Sequence, residues 1–146
     1  MSTLNLYSER SIESTIIEFN GEELENIYEF FLKFEKQQLY SKVTIMRGKK
    51  AHTHDLSQHF SDNINEESFQ NNTTPLLTIE NTEEGICVKH NGVLLSNLVK
   101  LYIHIKAKMT NYSPSTKHNA TDGTELFEAY YVTEISENRY NIVHIV

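Results

Sequence analysis

Apolar and polar positions recur at the spacing of a helix in one stretch of this chain and at the spacing of strands in several others. From Asn20 to about Gln38, Leu24, Ile27, Tyr28, Phe31 and Phe34 fall on one stripe at about 100° per residue. Asn26, Glu29, Lys33 and Gln37 fall opposite, with Glu29 and Lys33 in the favourable i,i+4 order. Asn20 reads as the N-cap and Glu23 completes a capping box, with Phe19 and Leu24 spaced as a hydrophobic staple. Glu22, Glu23 and Glu25 place negative charge at the positive end of the helix dipole. The pattern therefore predicts an amphipathic helix over about 20–38, packed on a sheet.

The remaining periodic segments predict strands: 15–19, 42–47, 76–80 and 85–89, the last followed by Asn91-Gly92, the strongest short hairpin signal. A turn there sets Lys89 opposite Leu94. Residues 93–99 fit either period and are assigned to strand with an irregularity near Asn97. From Leu101 the alternation is clear, with Leu101, Ile103, Ile105 and Ala107 on one face and Tyr102, His104, Lys106 and Lys108 on the other. A closing hairpin runs from Leu126 to Ser136 and from Arg139 to Val146. Its expected register sets Tyr131 opposite His144 and Val132 opposite Val143. Long polar loops are expected near 48–75 and 110–124, and no internal repeat is evident. The fold class expected is α+β: one domain over 1–146, a mostly antiparallel sheet of five to seven strands with the helix on one face.

Composition narrows the functions to be considered. The formal net charge is −7, which argues against a general nucleic-acid binder. No apolar run approaches the roughly 20 residues a membrane-spanning helix needs, and the first residues do not read as a signal peptide. Cys87 is the lone cysteine, so a cytoplasmic location is expected. The glycines form no phosphate-binding loop, and no cofactor is expected.

Candidate chemistry is sparse. His52, His54 and His59 form the best metal set, since alternate residues of a strand point to one side and imidazole binds zinc well. The run lacks the His-x-His-x-Asp-His order of metal-dependent hydrolases, and unligated surface histidines are the commoner reading of such a stretch. Cys87 and His90 would face opposite sides of a strand, which argues against a nucleophile–base pair. The leading expectation is therefore a binding protein: an immunity protein or inhibitor that neutralises a basic toxin, such as a nuclease, by blocking its active site. The acids expected to carry it are Glu22, Glu25 and Glu29 of the helix with Glu134 and Glu137 of the last hairpin. A metal-dependent hydrolase using the histidines is the alternative. A homodimer through Tyr130, Val132, Val143 and Ile145 is the third reading.

Overall fold

The computed structural model describes residues 2–9, 11–12, 14–57, 74–107, 109–113, 118–122 and 125–145. Among these residues every regular element is a strand, and no helix is long and apolar enough to cross a membrane. The α+β expectation is thus overturned. The described residues form two six-stranded antiparallel sheets and a two-stranded hairpin.

The predicted helix is where the sequence misleads. Asn20 and Gly21 have φ of 53° and 84°, so this pair is a left-handed two-residue turn and not a cap. Asn26 is also left-handed, at φ 59°. Between and beyond these turns run β3 (Glu22–Glu23) and β4 (Ile27–Glu35). Within β4, Phe30, Leu32 and Phe34 point into the core while Phe31, Lys33 and Glu35 point away. Residues 30–35 satisfy period two as well as they satisfy 3.6. Left-handed asparagines at both ends of β3 set the outcome, because a helix cannot propagate through them.

Sheet A contains β1 (Ser2–Tyr7), β2 (Ile16–Phe19), β3, β7 (Leu77–Thr82), β8 (Gly85–His90) and β9 (Val93–Leu94). Its strand order is β3-β2-β1-β7-β8-β9. Sheet B contains β4, β5 (Gln38–Arg47), β6 (Lys50–Asp55), β10 (Leu98–Lys106), β13 (Leu126–Ser136) and β14 (Arg139–His144). Its order is β14-β13-β10-β4-β5-β6. Strands β11 (Met109–Ser113) and β12 (His118–Asp122) pair with each other, and they occupy much of the stretch expected to be the second polar loop. Strand β6 occupies part of the first; residues 58–73 of that loop lie outside the described residues. The core lies between the sheets. Sheet A supplies Leu4, Leu6, Ile17, Leu77, Ile79 and Val88. Sheet B supplies Phe30, Leu32, Phe34, Val43, Leu101, Ile103 and Ile105. Burying such side chains is the dominant favourable term in folding.

A repeat that the sequence does not advertise organises this topology. Each half of the chain lays a three-strand meander in sheet A and then one in sheet B: β1-β2-β3 and β4-β5-β6, then β7-β8-β9 and β10-β13-β14. The Asn20–Gly21 turn has its counterpart in Asn91–Gly92, at φ 52° and 81°, and Asn26 in Asn97, at φ 58°. A bulge at Tyr28 is matched by one at Val99. Four backbone hydrogen bonds outside the ladders recur in pairs. Asn20 N–H donates to Thr3 as Asn91 does to Leu76, and Leu24 to Ile17 as Leu95 to Val88. Met46 donates to Asn26 as Glu134 to Asn97, and Leu56 to Ser41 as Ile145 to Ala129. The halves meet about a pseudo-two-fold axis. It passes where equivalent residues stand opposite each other: Leu32 with Ile103 in sheet B, and Asn5 with Thr78 in sheet A. There the Thr78 hydroxyl donates to Asn5 Oδ1 at 2.9 Å.

The final hairpin keeps its expected strands and shifts by one register. A bulge at Ile135 sets Tyr130 opposite His144, Tyr131 opposite Val143 and Val132 opposite Ile142. Tyr131, opposite the buried Leu101 of β10, turns inward, where its hydroxyl meets His90 Nδ1 at 3.0 Å. The four residues expected to share an apolar homodimer face are divided accordingly. Tyr130 and Val132 face away from the core, while Ile145 is buried in it and Val143 packs against it. The Asn91-Gly92 hairpin matches expectation, with Lys89 opposite Leu94.

Candidate functional site

The outer face of sheet B has the densest side-chain chemistry among the described residues. Alternation sends Glu29, Phe31, Lys33 and Glu35 of β4 to this side, and Lys100, Tyr102, His104 and Lys106 of β10 beside them. Strand β5 adds Tyr40, Lys42 and Thr44, and β13 adds Glu128 and Tyr130. An aromatic belt crosses four adjacent strands: Tyr130, Tyr102, Phe31 and Tyr40. Phe31 sits at its centre, with ring centroids 5.5 Å from Tyr102 and 5.7 Å from Tyr40, both edge to face. Tyr102 and Tyr130 stack at 5.3 Å, and Lys100 Nζ lies 5.8 Å and 5.6 Å from their centroids. Partial burial first, and Glu128 and Tyr130 next, hold the Tyr102 hydroxyl above its ordinary value.

Beside the belt lies an open groove of about 380 Å³, lined by Glu29, Phe31, Tyr40, Lys42, Thr44, Thr53 and His104. Phe31 is its apolar floor. On one side His104 Nε2 and Glu29 Oε2 are 2.7 Å apart. On the other, Lys42 Nζ stands 5.3 Å from the Tyr40 ring centroid, and the hydroxyls of Thr44 and Thr53 are 3.0 Å apart. Lys42 is held above its ordinary value, first by its hydrogen-bonding contact with Tyr40 and then by the charges of Tyr40 and Asp55. The groove thus offers an aromatic surface, a cation, a carboxylate and hydroxyls within one shallow depression, which is the equipment of recognition. A carboxylate beside an imidazole also resembles two members of a catalytic triad.

Only one of the acids expected from the sequence lies in this site. Glu29 is on the outer face of sheet B, where its partner is His104. Glu22 is on edge strand β3, and Glu25 lines a second hollow of about 340 Å³ with Ile12, Ile17, Leu24 and Ile105. Glu134 and Glu137 are exposed at the far end of the β13–β14 hairpin. β4 and β10 are antiparallel, and Glu134 bonds Asn97 at the start of β10. Its end of sheet B is therefore opposite the one at which β4 begins, next to Glu25. The single acidic face built from the helix and the last hairpin does not form, because the helix does not.

His52 and His54 do point to one side of β6, opposite Ile45 and Val43, and both are exposed at the sheet edge. His59 lies outside the described residues. Among the described residues no three His, Cys, Asp or Glu side chains gather in a metal-binding group. Cys87 is opposite Glu80 and has Thr82 Oγ1 3.7 Å from its sulfur, while His90 turns to the other side of β8 and meets Tyr131. The belt itself was partly visible in the sequence, since Tyr102, His104 and Lys106 alternate with the buried Leu101, Ile103 and Ile105. Phe31 was hidden by the helical reading, and Tyr40 fell between the predicted helix and the strand predicted over 42–47. Neither the protein-family models, nor the curated proteins, nor the solved structures give a match to this chain.

Proposed function

We propose that this protein is a non-catalytic binding module that docks another protein on the outer face of sheet B. The observation that carries this reading is the aromatic belt across β13, β10, β4 and β5, interleaved with lysines and carboxylates on the side of the sheet turned away from the core. Tyrosine and other aromatics dominate the energetics of protein interfaces because they bury much area at small entropic cost. Cross-strand aromatic pairs also stabilise sheets. Tyr40, at 44% exposure, and the open groove beside it are more than sheet stability requires.

The net charge of −7 supports a basic partner, and inhibition of a basic toxin such as a nuclease is the specific form of this proposal. Tyr40, Lys42 and Phe31 then supply the contact, and exposed acids such as Glu22 and Glu25 speed encounter. A cytoplasmic location belongs to the same proposal and agrees with the unpaired Cys87.

The test is capture of partners from host extract by wild type and by Tyr40→Ala, followed by affinity measurement on whatever is captured. Tyr40→Ala should weaken binding about tenfold, the effect of an interface residue worth ~1.4 kcal/mol. Glu22→Lys with Glu25→Lys should slow association and leave dissociation unchanged. A partner bound equally well by wild type and Tyr40→Ala removes the sheet B face from the proposal.

A further inference from the structure

The pseudo-two-fold provides an internal control for surface chemistry, because each strand of the two meanders in one half has an equivalent in the other. The contact of His90 in β8 with Tyr131 in β13 places β8 over β13, so edge strands β9 and β14 share one flank of the sandwich. By the same symmetry β3 and β6 share the opposite flank. Six large hydrophobic side chains stand out as exposed among the described residues. Five of them are on the first of these flanks: Val93, Leu94, Ile135, Tyr140 and Ile142, at 55% to 69% exposure. Their equivalents on the other flank are Glu22 for Val93, Glu23 for Leu94, Ala51 for Tyr140 and Thr53 for Ile142. Ile135 has no equivalent, because it is the bulge residue added to β13. The fold therefore does not require apolar residues at these places. An exposed apolar edge strand is a pairing site unless it is protected by charge, and β6, with Lys50, His52, His54 and Asp55, has that protection.

We propose that the β9/β14 flank is the two-fold interface of a homodimer, in which β14 pairs antiparallel with β14 of a second copy. Charge favours a second copy as the occupant. The chain carries −7 overall, yet Glu134, Glu137, Arg139 and His144 on this flank are mixed in sign, while exposed Glu22 and Glu23 lie on the opposite flank. Strand β14 is also self-complementary. Pairing centred on Asn141 sets Tyr140 of each copy opposite Ile142 of the other, on the same face as the belt. It brings the Glu137–Asn138 turn of each copy beside His144 of the other, an acid beside an imidazole. Antiparallel pairing of equivalent strands about a two-fold is already how the chain joins its own halves, β1 with β7 and β4 with β10.

Sedimentation velocity on the full chain at micromolar concentrations tests this. The expected species is twice the 17.0 kDa chain. Transplanting the opposite flank, as Val93→Glu, Leu94→Glu, Tyr140→Ala and Ile142→Thr, should give a monomer with an unchanged far-UV spectrum and unfolding midpoint. Ala51→Lys, the equivalent site on the other flank, should leave the dimer intact. A wild-type monomer at about 100 μM, where even a weak interface would associate, overturns the proposal. So does a transplanted variant that still dimerises. Should the transplant unfold, Ile142→Lys alone provides the same comparison at one exposed position.

Discussion

Phe30 and Phe31 are adjacent in sequence and lie on opposite sides of sheet B. Phe30 is fully buried between the sheets, and Phe31 lies under the open groove. A strand makes their substitution unequal. Phe30→Ala should cost about 3–5 kcal/mol of stability, the usual range for a core phenylalanine. Phe31→Ala should cost about 1 kcal/mol, typical of a cross-strand aromatic pair. Paired denaturant titrations would check this, and near-equal losses would contradict the strand. At the same scale, burial holds His90 below its ordinary 6.5. The unfolded chain then takes up a proton before the folded one. Stability from this residue is fully present above about pH 6.5, declines as pH falls through that value, and levels off once the folded-state imidazole is charged. His90→Gln, whose amide can still reach Tyr131, should flatten the part of the pH–stability curve below about 6.5 relative to wild type. Superimposable slopes in the two proteins would contradict the assignment. Tyr7 shows the same physics in an acid. Burial first, and the nearby Glu18 second, push its hydroxyl up to about 12, and its Oη makes no hydrogen bond of acceptable geometry.

Turns decide the elements, and the chain spells the decisive turn twice. Asn20-Gly21-x-x-Leu24-x-Asn26 recurs as Asn91-Gly92-x-x-Leu95-x-Asn97. The second copy reads at once as a hairpin because alternating residues flank it. The first is followed by aromatic residues that also fit a helical stripe, and so Asn20 imitates an N-cap. Local preference cannot separate these readings, since asparagine suits both positions. The repeat separates them, and four identities among diverged strands are too few to show it by eye. What the sequence carried legibly was the alternation of β10, the strands of the last hairpin and the Asn91-Gly92 turn. What it could not carry was the bulge at Ile135, which moves that hairpin's register by one, or the sheet to which each strand belongs. Element equivalence makes a prediction of its own. β4 joins β5 through a two-residue turn, Lys36-Gln37, with both residues at positive φ, while β10 joins the equivalent β13 through residues 107–125. Replacing 107–125 by Lys-Gln should therefore preserve both sheets, at a cost of about 1 kcal/mol or less, since loop length itself contributes only weakly. Circular dichroism and the unfolding midpoint are the measurements, and an unfolded product would mean that β11–β12 is part of the structural core.

At the scale of the molecule, neither half owns a complete core. Leu4 and Leu6 of the first half pair across the axis with Ile79 and Leu77 of the second, and Phe30, Leu32 and Phe34 with Ile105, Ile103 and Leu101. All of these are buried at the axis. A fragment ending at Ser57 or beginning at Thr74 would expose its entire central strand in each sheet and has a length at which a core is marginal. Residues 1–57 alone should therefore be unfolded. Mixed with 74–146, they should regain the β spectrum and one cooperative transition, because every pairing across the axis can form without a covalent link. The second fragment alone has a further option. Its central strands can pair with those of an identical fragment, β10 against β10 centred on Ile103 and β7 against β7. Each partner would then stand where the first half stands in the intact chain. The fragment should accordingly behave as a weak two-fold dimer that the first fragment displaces, which sedimentation of each fragment and of their mixture would show. Independent folding of either fragment as a monomer would mean that the axis is a contact between finished units. Failure of the mixture to fold would mean that the connection between the halves contributes more than entropy.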